Sequence, residues 1–364
     1  MRRLCFILAA LFCLVVSIAR SEDKPPIHLA LAGLSHDHAF GFLPRFKDRT
    51  DVVLVGIVET NSDLIHRYSE HFHLDPALFY PTIDALLTKT NVQAVAAFGN
   101  VAEHLQVVKA CAPHGIDVMM EKPFALNMKQ ARAMADLAKR YGIQLVINYE
   151  TTWYPGNQAA YQIVRQGQIG DLRKIVIHDG HNGPKEIGCS TNFLNWLTDP
   201  ALNGGGAIVD FGCYGADLIT WLMNGQRPTS VFAVAQQIKP ELYPKVDDEA
   251  TIVLTYPKAQ GIIQASWNWP FSRKDMEVYG RTGYVLVPKS DTIAVRKEKE
   301  EKEHDETLPS LAGPEADPLS YLLAVTRGEI KPSGLSSVDI NLTAIEILDA
   351  ARESAKSGRR VDLR

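Results

Sequence analysis

The tripeptide Glu121-Lys122-Pro123 stands directly after the apolar run Val118-Met119-Met120. A cationic amine at the carboxyl end of a buried strand can hydrogen-bond a hydroxyl and stabilise a developing alkoxide. Further on, Gly204-Gly205-Gly206 leads into a stretch carrying Asp210, Tyr214, Asp217 and Trp221. Offsets of i, i+4, i+7 and i+11 put these four on one helical face. A phenol there could relay a proton if the Lys122 ammonium lies near and lowers its pKa. Each group also has a plainer reading. Lys122 would be a surface lysine, Asp210 a carboxylate at a helix N-terminus, and Tyr214 a core aromatic. The Lys122-Pro123 bond is open to either isomer.

Those residues need a scaffold, and the first half supplies one. Apolar runs at 27–32, 52–58, 92–97, 117–120 and 144–147 alternate with helical stretches such as 125–141. Continuous apolar strands alternating with helices mean a parallel sheet covered on both faces. Ligands of such sheets sit at the strands' carboxyl ends. That directs attention to residues 33–38, to Glu59, and to 98–100, 121–123 and 148–149. The first turn is where a dinucleotide pyrophosphate binds, and its fingerprint asks for three glycines. Here Gly33 is present, but Ser35 and His38 take the other two places. Ser35 could donate to a phosphate, while His36 and His38 also read as solvated loop residues. Glu59 ends the second strand. It is either a surface carboxylate or the acceptor for the adenosine ribose hydroxyls, which favours NAD, with NADP as the alternative.

The second half reads differently. Strands are predicted at 171–177, 231–237, 250–256, 260–267, 275–280 and 284–288, joined by short turns as antiparallel neighbours are. Tyr149, His178, His181 and Trp267 could line a sugar pocket, through ring faces and hydrogen-bonding tips, or be ordinary core groups. The spacing of the histidines gives no metal pattern, and no metal is expected. The run 296–306 mixes both charges and reads as a solvated edge. An amphipathic helix over 338–356 closes the chain, with Gly358 just past its end.

Bulk composition narrows the class. With 38 basic and 42 acidic residues the net charge is −4. This argues against a nucleic-acid surface and for a small-molecule protein. The length of 364 residues favours two domains. Arg2 and Arg3 precede an apolar run, 4–18, that ends in small residues, the pattern of an export signal over 1–21. An uncleaved anchor is the alternative, and the paired arginines raise a twin-arginine route. The expected location is periplasmic or secreted, with membrane contact only during export. Three cysteines remain beyond the signal, and Cys111 and Cys213 fall in apolar helical patterns.

Taken in order, Gly99-Asn100 with His104, the Glu121-Lys122-Pro123 turn, the triple glycine with Asp210 and Tyr214, and the C-terminal Ile345-Glu346-Ile347-Leu348-Asp349 resemble the glucose–fructose oxidoreductase / inositol dehydrogenase (Gfo/Idh/MocA) family. The resemblance runs from about 27 to 363. It implies α/β architecture: a Rossmann-type domain over 26–148, then an α+β domain over 149–364 with an open, mostly antiparallel sheet. It implies NAD(P)-dependent oxidation or reduction of carbohydrates and cyclitols, with Lys122, Asp210 and Tyr214 catalytic. Gly33, Ser35, His36, Glu59, Asn100, His104, Glu121 and Lys122 would form the cofactor side. The family usually has histidine where Tyr214 stands, and some members carry tyrosine. A homo-oligomer built on the second sheet is also implied. Outside the cytoplasm free NAD(H) is scarce, so an exported member needs a tightly held cofactor regenerated in place. Two other readings fit: a redox-assisted glycosidase, and a non-catalytic carbohydrate-binding protein whose glycine turn has decayed.

Overall fold

Apolar runs of four to seven residues are buried as strands, and the amphipathic stretches between them cross over as helices. The computed structural model describes residues 24–363, so the export signal expected at 1–21 lies outside the described residues. Strands β1 (Ile27–Ala32), β2 (Val52–Val58), β3 (Phe79–Tyr80), β4 (Ala94–Ala97), β5 (Asp117–Glu121) and β6 (Leu145–Asn148) form one sheet in the order β3-β2-β1-β4-β5-β6. Every pair is parallel. The order reverses between β1 and β4, which opens a crevice at their carboxyl ends. Gly33 sits there at φ +81°, and a Cβ on it would lie 2.7 Å from the Gly99 backbone nitrogen. Only glycine fits both that conformation and that approach.

The second sheet has nine strands. In chain order they are β7 (Leu172–Gly180), β8 (Ser230–Gln236), β9 (Glu249–Thr255), β10 (Gln260–Ser266), β11 (Arg273–Gly280), β12 (Gly283–Lys289), β13 (Thr292–Lys297), β14 (His304–Thr307) and β15 (Val361–Asp362). Their order is β14-β13-β12-β11-β7-β10-β9-β8-β15, antiparallel except for the β7–β10 pair. The mixed-charge run becomes the hairpin β13–β14, whose last strand is exposed throughout and blunts the sheet edge with charge. The helix Gly212–Leu222 packs on one face of this sheet, beside the C-terminal helix Val338–Ser357. Gly358 ends that last helix at φ +65°.

The stretch from Asp210 to Trp221 is not one continuous helix. A short turn, Ala207–Asp210, stops at Phe211, and the long helix starts at Gly212. The Asp247 loop closes on the start of that short turn. Asp247 accepts from the backbone N–H of Gly206 and of Ile208, at 3.0 and 2.7 Å. A Cβ on Gly206 would lie 1.8 Å from the Asp247 carbonyl oxygen, which explains glycine there.

The two halves are laced together. Helix Pro318–Thr326 turns back onto the parallel sheet, where Leu319, Leu322 and Leu323 join the core cluster holding Leu29, Leu31, Ala96, Met119 and Val146. Arg49 Nη1 donates to Ser320 Oγ at 2.9 Å, and Arg327 Nη2 to the Asp51 carbonyl at 2.9 Å. The second half, as bounded from the sequence at 149, therefore returns part of its length to the first.

Candidate active site

At the sheet's reversal lies a cleft of about 770 Å³. Gly33, Ser35, Glu59, Asn61 and Asn100 line it from the first half, with Asn192, Asn195 and Trp196 from the second. The Glu59 carboxylate is pinned at the end of β2. One oxygen accepts from Leu34 N–H at 2.9 Å, and the other from Thr60 and Asn61 N–H at 2.8 Å each. Among the described lining residues none is lysine or arginine, while Glu59, Asp84 and Glu103 are acidic. Such a wall suits the ribose of NAD and repels a further phosphate. The cleft's size, the glycine approach and the fixed acceptor at β2 fit a dinucleotide held by backbone groups.

The second centre is built where β5 ends. The Lys122-Pro123 bond is cis. Lys122 Nζ donates to Asp210 Oδ1 at 2.5 Å and to the Asp210 carbonyl at 3.0 Å. Both side chains are only 6% exposed. Asp210 Oδ2 accepts from Trp267 Nε1 at 3.0 Å. Burial opposes the charge on Lys122, but the Asp210 carboxylate outweighs it and lifts the ammonium above its ordinary range. Burial likewise opposes charge on Asp210, and Lys122 wins, holding that carboxyl below its usual value. The pair is charged, and one N–H of Lys122 is left for a ligand.

Tyr214 lies beside this pair. Its ring centroid is 4.9 Å from Lys122 Nζ and 4.8 Å from Lys274 Nζ. The ammonium groups meet the ring, and the phenol is pushed well above its ordinary pKa by burial and by Glu150 and Asp179. The lowered phenol expected from the sequence is thus not found. Tyr214 is a cation-binding surface and a hydroxyl donor. His181 also faces the pair. Its Nδ1 accepts from Gly183 N–H at 2.9 Å, which places the ring proton on Nε2. Burial, the first influence on it, lowers its pKa, so it is a neutral N–H donor.

Other expected contacts fall elsewhere. His178 is on the opposite face of the sheet, bonded to Asp275 Oδ1 at 2.8 Å. Side chains alternate along β7, so its neighbour Asp179 faces the centre in its place. Trp267 is fully buried and holds Asp210 instead of offering a face to a sugar. Tyr149 is fully buried too, edge-on to Tyr214 at 5.4 Å, and supports that ring. His36 is buried against Phe193 and Trp196 and does not line the cleft. Burial and then His38 and Lys122 keep it neutral. His104 donates Nδ1–H to the Phe124 carbonyl at 3.1 Å, and burial drops its pKa to about 4. It fixes the turn after β5. Glu121 accepts from His38 Nδ1 at 2.9 Å and from Asn148 Nδ2 at 2.7 Å, bracing the same turn. Ligand-capable atoms of His36, His38 and Glu121 gather within 4.8 Å of one another. His36 Nδ1 accepts from His38 N–H, so its Nε2 carries the proton and has no lone pair for an ion.

Several contributors escaped the sequence reading. Lys274 pairs with Glu150, whose pKa falls to about 2 because the nearby Lys274 ammonium outweighs burial. Tyr154 donates to the same carboxylate at 2.5 Å. Asp179 is buried with one oxygen partnerless, and burial drives its carboxyl well above the usual range. Starting the strand at 273 instead of 275 would have put Lys274 on the inward parity with Met276 and Val278. Nothing in the sequence of helix Thr191–Leu197 marked Trp196 as a wall of the cleft.

Comparison with known proteins agrees with this layout. Residues 29–149 match the family model described as oxidoreductase family, NAD-binding Rossmann fold. Residues 157–286 match the GFO/IDH/MocA C-terminal domain. The trans-1,2-dihydrobenzene-1,2-diol dehydrogenase of Macaca fuscata fuscata is 26% identical over 178 residues, 49% of each chain. The chain therefore spans about half the length of such curated relatives. An aldose-aldose oxidoreductase from Caulobacter crescentus, complexed with glycerol, superposes with TM-score 0.78 at 22% identity, covering 93% of this chain and 100% of that one. An inositol dehydrogenase homolog from Azotobacter vinelandii, complexed with NAD+, gives TM-score 0.78 at 18% identity, covering 93% and 98%. At these identities the structural likeness speaks for the fold.

Proposed function

Because the chain belongs to the GFO/IDH/MocA family, we propose that it is an NAD-dependent oxidoreductase acting on a hydroxyl or ketone of a carbohydrate- or cyclitol-like small molecule. The observation that carries this reading is the buried Lys122–Asp210 pair at the end of β5, one strand from the nucleotide cleft. NAD, when bound, accepts or returns the hydride of the substrate's C–H. Lys122 binds the substrate oxygen with its remaining N–H. In the reducing direction it gives that oxygen a proton, and in the oxidising direction it takes the proton back. Asp210 favours the charged lysine and, through Trp267, fixes where it points. His181 Nε2–H and the Tyr214 hydroxyl donate to neighbouring oxygens of a polyol. The relatives' names, a diol dehydrogenase, an aldose oxidoreductase and an inositol dehydrogenase homolog, support a polyhydroxylated substrate.

The basic and apolar start of the chain supports export, and an exported enzyme keeps its nucleotide between turnovers. The outer face of the nine-stranded sheet carries Phe232 and Val234, 39% and 51% exposed, and supports assembly of copies through that face. The test is a panel of aldoses, cyclitols and their ketones mixed with NAD-loaded protein while nicotinamide absorbance is followed. Substrate-dependent change is expected with at least one compound. Protein that binds no NAD(H) would sink the reading.

A further inference from the structure

The nucleotide cleft poses a physical problem. Its described lining offers no lysine or arginine, yet a dinucleotide carries two phosphate charges, and Glu59, Asp84 and Glu103 are nearby. Slow release cannot come from ion pairing to lysine or arginine, which leaves backbone hydrogen bonds and enclosure to hold the nucleotide. Helix Thr191–Leu197, which belongs to the second half, supplies the outer wall. It is tied to the phosphate loop at two points. Trp196 Nε1 donates to the Ser35 carbonyl at 3.2 Å, and Ser190 N–H donates to Asp37 Oδ2 at 2.8 Å. The Trp196 ring also packs on His36 and Phe193, at 5.4 and 4.9 Å. Across the cleft, Asn61 Nδ2 reaches Asn192 Oδ1 at 3.5 Å, the limit of a hydrogen bond.

We infer that helix Thr191–Leu197 is a retaining strap across the nucleotide cleft, latched by Trp196 on Ser35 and by Ser190 on Asp37. The inference rests on the nucleotide-binding reading above and goes further by naming what controls residence. A dinucleotide beneath the helix leaves only when both latches open. The strap springs from a firm base. Asn203 Nδ2 donates to the Leu197 carbonyl at 3.3 Å, and Lys245 pairs with Asp199 at 3.1 Å. Asp37 contacts the strap without lining the cleft, so it separates a latch from a stacking surface.

The experiment loads the full protein with NADH, adds excess NAD+ and follows the loss of nucleotide fluorescence. Trp196→Ala and Asp37→Ala are each expected to speed release by about tenfold or more, about 1.4 kcal/mol per tenfold. Raising salt from low to moderate concentration is expected to change wild-type release by less than about twofold, since no ion pair is being screened. Thermal unfolding checks that each variant folds, and Asp37→Ala keeps the test alive if Trp196→Ala does not. Wild-type release rates in both variants would overturn the strap. So would acceleration in Trp196→Ala alone, which would make the tryptophan a stacking wall. Wild-type protein that takes up no NADH overturns the underlying nucleotide reading instead.

Discussion

The nucleotide cleft and the Lys122 centre lie at the carboxyl ends of neighbouring strands, yet they solve opposite problems. The cleft binds with backbone groups, a fixed carboxylate and a close glycine contact, without a cation among its described lining residues. The centre packs charge into the core. Lys122, Lys274, Asp210, Glu150 and Asp179 crowd around one aromatic ring. Shape suffices to hold a large ligand whose many groups share the work. Chemistry at one oxygen needs a charge fixed before the substrate arrives, in a place where water cannot weaken it.

The strongest way to break this contrast is to exchange the losses. Lys122→Ala leaves Asp210 buried with only Trp267 to hold it. Turnover should fall by about a thousandfold or more, stability by about 3–5 kcal/mol, and NADH affinity by less than about threefold. Gly33→Ala should do the reverse, abolishing measurable NADH binding while the Lys122–Asp210 pair stays intact. Equal losses of affinity and turnover in both variants would erase the distinction drawn here. Titration calorimetry beside single-turnover kinetics reads both quantities.

A finer test moves charge without emptying the site. Asp210 raises the pKa of Lys122, so Asp210→Asn should lower it. Oxidation needs neutral lysine to take the proton. The alkaline rise in kcat/KM for oxidation should therefore move to lower pH in the variant. An unmoved limb would remove Lys122 from the proton path.

The smallest effect concerns Asp217, which faces the core one helical turn below Tyr214. Neither carboxylate oxygen has a partner, and burial pushes its pKa well above the ordinary 3.8. The folded protein thus holds a proton that the unfolded chain releases as pH rises past that value. Stability from this group is intact below 3.8 and declines as pH climbs toward the folded pKa. Asp217→Asn should raise the melting temperature by roughly 2 °C at pH 8, with the gain vanishing near pH 4. A gain independent of pH would point to packing.

Much of the parallel sheet was legible because its strands are unbroken apolar runs. Lys122 was legible because it follows one of them directly. Parity on mixed strands was not. His178 and Asp179 are adjacent, and only pairing with Lys274 and Asp275 across β7–β11 decides which pair faces inward. The sequence nominated the wrong member. Trp267 and Tyr149 were expected to line a sugar pocket, but tertiary packing buries both as supports of Asp210 and Tyr214. The break at Phe211 was not visible in the spacing of Asp210, Tyr214, Asp217 and Trp221, which reads as one continuous helical face. Trp196 gave no signal either, since a wall donated by another domain has no periodicity of its own.

Helix Pro318–Thr326 has a consequence for how the molecule is made. Its leucines complete the apolar face formed by Leu29, Leu31, Ala96, Met119 and Val146. During synthesis that face stays incompletely covered until the chain has been made past residue 326. The earliest-made half is therefore among the last to be finished, and a fragment cut after residue 310 would present a greasy wall that invites aggregation or chaperone capture.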